Sequence, residues 1–164
     1  MGDVNIPKTP RGQETMDKIC RASEELFSQK GYYNTSITDI AQRAEVAPGT
    51  VYIYFKDKKS IFKYLLEDLN RTIRKEIAIA TKDCKSRYEE EKIGFRVFFD
   101  FARKHIGLYK IIWESQFVDG ELFKEYYDNF ASRYMKRIKL AQKNGEITDI
   151  DPEILVYCLI GITK

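Results

Sequence analysis

Between Thr50 and Gly94 the chain holds neither glycine nor proline, and no proline falls between Pro48 and Pro152. A stretch that long without a breaker favours helix over a loop-rich or all-β chain. The apolar residues agree. Met16, Ile19, Cys20, Ser23, Leu26 and Phe27 form one stripe at helical spacing, and Ile61, Phe62, Leu65, Leu66, Leu69 and Ile73 form another. An apolar content of 43% is enough for a real core. No strand pattern and no internal repeat is found, so the expected fold class is all-α.

Punctuation divides the chain. Residues 1–12, polar and carrying Pro7 and Pro10, are expected as a disordered arm. A first helix ends at Gly31. Ser36 and Asp39 form a capping box for a short second helix. Glu45, Val46 and Ala47 make a three-residue turn, and Pro48 stands at the first position of a third helix reaching about Phe55. Asp57 caps a long helix to about Thr81. The charged stretch 82–92 reads as a loop or a solvated helix end. Further helices are expected over 93–106 and 108–114, from Asp119 to Lys143, and from Pro152 onward. The expected domains are a helix-turn-helix unit over 13–56, a connecting helix over 57–81 and a second helical domain over 82–164.

Several functional classes are excluded or disfavoured. Cys20, Cys84 and Cys158 are odd in number and far apart, and His105 is the single histidine. Neither a disulfide framework nor a metal site is expected, and no cofactor. No Ser/His/Asp set or phosphate loop is present, and Glu114 and Asp119 have no evident partner, so no catalytic residue is named and an enzyme is not expected. There is no apolar leader, and the apolar run 154–162 is too short to span a bilayer. The expectation is a cytoplasmic protein without membrane contact. The net charge of +3 is too small to argue for nucleic acid alone. That case must rest on local residues.

Those residues lie in 36–58. Val51 and Phe55, four apart and apolar, mark the inward face of the third helix. At about 100° per residue the opposite face carries Gly49, Thr50 and Ile53, with Tyr52 and Tyr54 on the flanks. Such a slim face suits a major groove. Gly49 admits close backbone approach, Thr50 can bond a phosphate or base edge, and Ile53 can meet a thymine methyl. The tyrosine hydroxyls point where phosphates would pass. Lys56, Lys58 and Lys59 crowd a helix N-terminus, where charge and free N–H groups favour phosphate. The same shape occurs in proteins that bind no DNA, so a module for protein contacts stays open at this point.

The segment Gly31-Tyr32 through Thr35-Ser36-Ile37-Thr38-Asp39-Ile40-Ala41 to Gly49-Thr50-Val51-Tyr52-Ile53-Tyr54-Phe55-Lys56-Asp57-Lys58 closely resembles the DNA-binding signature of the TetR family of bacterial repressors. The resemblance covers about residues 13–66. It implies phosphate contacts from Ser36 and Lys58, and operator contacts from Thr50, Tyr52 and Tyr54. It also implies a homodimer on a palindromic double-stranded operator, released by a small-molecule inducer. Ala47 and Pro48 depart from the family pattern, which often has Ser or Thr and then Lys or Arg. One contact is expected to be missing. Dimerisation would use the last two helices, of which the chain would lack the final one.

In the second domain the rings are dense, at Phe95, Phe98, Phe99, Phe101, Tyr109 and Trp113 and again along 123–134. Most must be core. The surplus, with several hydroxyls among it, suggests a cavity for a hydrophobic or aromatic ligand. The candidate lining is Phe98, Phe101, Trp113, Tyr126, Tyr127, Phe130 and Tyr134. The apolar run 154–162 needs cover on every side, for which a second subunit is the natural source.

Overall fold

The computed structural model describes residues 3–162, less the side chain of Leu108. The first two residues of the expected arm and the last two of the expected second domain lie outside that span. Within it the chain forms eight helices: α1 (Pro10–Lys30), α2 (Ile37–Arg43), α3 (Pro48–Tyr54), α4 (Lys58–Thr81), α5 (Arg87–Lys104), α6 (Ile106–Val118), α7 (Gly120–Lys143) and α8 (Pro152–Ile162). The all-α class is correct. No strand occurs among the described residues, and an isolated antiparallel bridge pairs Val4 with Phe55.

Local chemistry accounts for the helix ends. Thr9 Oγ1 accepts the Gly12 N–H at 3.1 Å, so α1 starts at Pro10. Its end is Gly31, whose φ of +80° suits only glycine without strain. Asp57 and Ser60 cap α4 reciprocally, with Ser60 N–H donating to Asp57 at 2.7 Å and Asp57 N–H donating to Ser60 at 3.1 Å. Asp119 Oδ1 accepts from the Glu121 and Leu122 N–H groups at 3.1 and 3.3 Å and starts α7.

α1, α2 and α3 bury Met16, Ile19, Leu26, Phe27, Ile40 and Val51, with Phe55 just after α3, against Ile61, Phe62, Leu65 and Leu66 of α4. Phe62 meets Phe27 and Tyr32 edge-on, at 5.6 and 5.0 Å between ring centres. Truncating such a ring costs about 3–5 kcal/mol. The same cluster runs on through Phe101, Ile111, Ile112 and Leu122. The core is therefore unbroken at the domain boundaries expected after residues 56 and 81. A second, small cluster joins Ala131 and Ile138 of α7 to Val156 and Ile160 of α8.

One expectation needs correction. The disordered arm over 1–12 is ordered where described, because residues 3–5 bond to the end of α3 and residues 10–12 belong to α1. The arm's hold is made largely by backbone groups, which side-chain patterning does not reveal. The stretch 82–92, expected as a loop or a solvated helix end, is a loop to Ser86, whose side chain caps α5 at Arg87, and then the start of that helix. Within this chain the last helix is covered on one side. Val156 and Ile160 are buried, whereas Ile154, Tyr157, Cys158 and Ile162 are exposed.

Candidate nucleic-acid interface and ligand cavity

α2 and α3 are held at a fixed angle by a turn in which Glu45 takes a φ of +59°. Ser36 caps α2. Its Oγ accepts the Asp39 N–H at 3.0 Å and donates to Asp39 Oδ2 at 2.8 Å. Bonds from Ser36 hold the Asp39 carboxyl below the usual carboxylate range. The Ser36 hydroxyl lies at the surface, its proton already engaged.

α3 buries Val51 completely, and Phe55 just beyond it is 1% exposed. The other side presents Gly49, with Tyr52 and Ile53 more than half exposed. Thr50 and Tyr54 are half-buried on its edges. Two exposed large apolar residues on one short helix need a partner surface to be useful. Lys56 is exposed beside Asp3, 3.5 Å away.

Lys58 is placed otherwise than the resemblance implied. Its Nζ donates to the Tyr32 and Thr35 carbonyl oxygens at 2.6 and 2.7 Å and sits 4.2 Å from the centre of the Tyr32 ring. Burial pulls its pKa down. The amine is a strut between α4 and the α1–α2 loop. Two backbone acceptors one turn of loop away offered it a better-defined partner than solvent.

The aromatic residues named for the cavity divide between two hollows. One, a recess of about 520 Å³ that includes space open to solvent, lies among α4, α5, α7 and α8 and is lined by Phe98, Phe130 and Tyr134. The other, of about 260 Å³, is lined by Phe98, Phe101 and Tyr126. Phe98 is common to both, while Trp113 and Tyr127 line neither. Burial pushes the Tyr127 phenol up to about 12 and raises Tyr126 as well. Sequence reasoning missed Ile77, Thr81, Phe95 and Leu159 on the apolar walls, and a charged end made by Arg87, Glu90, Glu91 and Arg137.

That charged end is tightly built. The Arg87 side chain is 7% exposed and pairs with Glu90 at 2.9 Å and with Glu91. Arg137 pairs with Glu90 at 2.9 Å, and the Tyr134 hydroxyl donates to Glu91. The available signal was spacing: Glu90 and Glu91 stand three and four residues after Arg87, where helical ion pairs form.

Polar links join the DNA-facing unit to the cavity-bearing helices. The Tyr32 N–H donates to Glu114 Oε1 at 2.7 Å, the Tyr33 hydroxyl donates to the Phe117 carbonyl at 2.7 Å, and Lys59 pairs with Asp119 at 2.7 Å. α1 and α6 cross so closely that a Cβ at Gly107 would lie 2.7 Å from Ser28 Oγ.

Residues 19–65 match the family model described as bacterial regulatory proteins, tetR family. The chain is 25% identical over 134 residues to an HTH-type transcriptional regulator of Bacillus subtilis, named as the probable regulator YttP, covering 80% of this chain and 65% of that protein. It thus spans about two thirds of that relative's length. Among solved structures it resembles a TetR-family transcriptional regulator of Syntrophomonas wolfei, with a TM-score of 0.84 and 30% identity, over 93% of this chain and 80% of the other. It also shares its fold with the fatty acid degradation regulator FadR of Bacillus halodurans, at a TM-score of 0.81 and 19% identity, over 96% and 82% of the two chains.

Proposed function

The chain belongs to the TetR family of bacterial regulatory proteins and is a helix-turn-helix transcriptional regulator, and on that premise we propose that it is a repressor that grips a palindromic operator as a homodimer and releases it when an apolar ligand enters the C-terminal helices. The observation that carries the reading is the division of α3, with Val51 buried and Tyr52 and Ile53 facing out. In a dimer the two α3 helices would lie about 34–36 Å apart, matching successive major grooves. Gly49, Thr50, Tyr52, Ile53 and Tyr54 would meet the duplex, with Ser36 and Lys56 beside the phosphates. The exposed Ile154, Tyr157 and Ile162 of α8 support the dimer.

The larger hollow is the proposed ligand site. Its walls of Ile77, Phe95, Phe98, Phe130 and Leu159 suit an acyl chain, and its charged end suits a polar head. The FadR neighbour is named for fatty acid degradation, which supports the same class. α4 runs from this hollow at Ile77 and Thr81 to the helix-turn-helix at Lys58. A ligand that binds one arrangement of α4 more tightly would shift the population toward it, and only that difference in affinity can drive release.

Selection of bound duplexes from a random pool at two salt concentrations tests this. Recovery of a palindrome whose binding weakens steeply with salt supports the reading. A protein that sediments as a dimer yet enriches no duplex would overturn it.

A further inference from the structure

α3 is seven residues long, about two turns, and both of its ends lack the usual help. Ala47 provides no side-chain cap at the start. At the other end the last carbonyls have no partner within the helix. Two of them are taken by one residue from outside. The Asn5 N–H donates to the Tyr54 carbonyl at 2.8 Å, and Asn5 Nδ2 donates to the Ile53 carbonyl at 3.1 Å. The Lys56 N–H then donates to the Asp3 carbonyl at 3.1 Å, which closes the bridge between Val4 and Phe55.

The strap is braced from behind. A Cβ at Gly12 would lie 2.8 Å from Pro7 Cβ, 3.0 Å from Thr9 Oγ1 and 3.7 Å from the Tyr54 hydroxyl. Glycine at that place lets α1, the arm and the end of α3 meet, at the cost of a weak residue in the first turn of α1.

We infer that residues 3–5 are a strap that caps the C-terminus of the recognition helix and sets the angle at which Tyr52, Ile53 and Tyr54 meet DNA, with Asn5 as its positioning residue. The inference rests on the DNA-binding reading. A two-turn helix that carries the contacts but has no N-cap would otherwise fray where the contacts are made. The bonds from Asn5 to α3 go to carbonyls, so the strap steadies α3 without engaging the Tyr52, Ile53 or Tyr54 side chains, and its Asp3 carboxylate lies 3.5 Å from the Lys56 amine.

The test uses the full chain and the palindrome recovered by selection. Asn5→Pro removes both donors, the N–H to Tyr54 and Nδ2 to Ile53, whereas Asn5→Ala removes only the donor to Ile53. Asn5→Pro is expected to weaken operator binding about tenfold, the scale of one or two net hydrogen bonds. Asn5→Ala should weaken it less. In both, the slope of log affinity against log salt should stay as in wild type, because no phosphate contact is lost. The Lys56 amide should exchange its hydrogen faster, and ligand affinity should not change. Asn5→Pro binding within about twofold of wild type would overturn the inference. So would a slope shallower by about one, which would make the arm itself a phosphate contact. If Asn5→Pro fails to fold, Asn5→Ala and the Lys56 amide decide. Wild type that enriches no duplex would remove the DNA reading and the inference together, whereas wild-type binding with indifferent variants removes the strap alone.

Discussion

Tyr54 and Lys58 make opposite predictions from neighbouring places. Tyr54 is half-buried at the edge of α3, with its hydroxyl beside the start of α1. Tyr54→Phe keeps the ring and removes the hydroxyl. Operator affinity should fall by about five- to tenfold, the scale of one hydrogen bond to a charged group, while ligand affinity is unchanged; titration of labelled operator and of ligand checks both. Lys58 bonds two carbonyls instead. Lys58→Met should lower stability by about 1–3 kcal/mol, because it leaves part-buried acceptors unpaired, and urea unfolding measures it. Its salt slope for DNA should equal wild type. A slope reduced by about one would show that the amine reaches phosphate after all.

At the scale of elements, the caps and clasps decide how firmly α3 and α4 are set. Ala47 is the one weak start in the helix-turn-helix, with no side-chain bond to α3. Ala47→Ser should raise stability by about 0.5–1 kcal/mol, seen as a higher urea midpoint with an unchanged slope. The Lys59–Asp119 pair clasps the start of α4 to the start of α7. The bond from Lys59 holds the Asp119 carboxyl below its ordinary range, and the bond to Asp119 holds Lys59 above its own. A depressed carboxyl contributes stability above its unfolded value, about pH 4, and loses it as pH falls through the folded value. A raised lysine contributes below about pH 10 and loses it as pH rises through its folded value. The clasp should therefore hold from about pH 4 to 10. Asp119→Asn keeps the cap on α7 but should flatten the acid side of a stability–pH curve. Lys59 is exposed and Asp119 partly so, so the effect is small and should fade in high salt.

For the whole molecule, two proposals depend on parts acting together. The exposed apolar side of α8 should mediate the dimer, so Ile154→Asp, at a position 61% exposed, should shift sedimentation toward monomer without loss of helix. Unchanged sedimentation would place the dimer elsewhere. Glu114 of α6 bonds the Tyr32 N–H just before α2, between the cavity side and the DNA side. Glu114→Gln should leave ligand and operator affinities each near wild type and reduce the factor by which one weakens the other. That factor is a coupling free energy, and it must be the same measured from either ligand.

Helix identity was legible from local signals, since caps at Ser36, Asp57 and Asp119, Pro48 at a first turn and Gly31 at an end act within a few residues. The outward set of α3 followed from Val51 and Phe55 alone, because helical geometry leaves no freedom once two inward residues are known. What lay beyond sequence depended on partners distant along the chain. The arm's bonds to Ile53 and Tyr54 span some fifty residues and end on backbone carbonyls common to every sequence. Lys58 looked like a surface cation until the fold put Tyr32 and Thr35 carbonyls beside it. The cavity's rings split between two hollows because packing, not composition, decides which aromatic side chains leave a space. Local sequence determined which segments are helices and which face of α3 turns outward; the tertiary structure alone decided which polar groups find each other, because a hydrogen bond is set by distance in space and not along the chain.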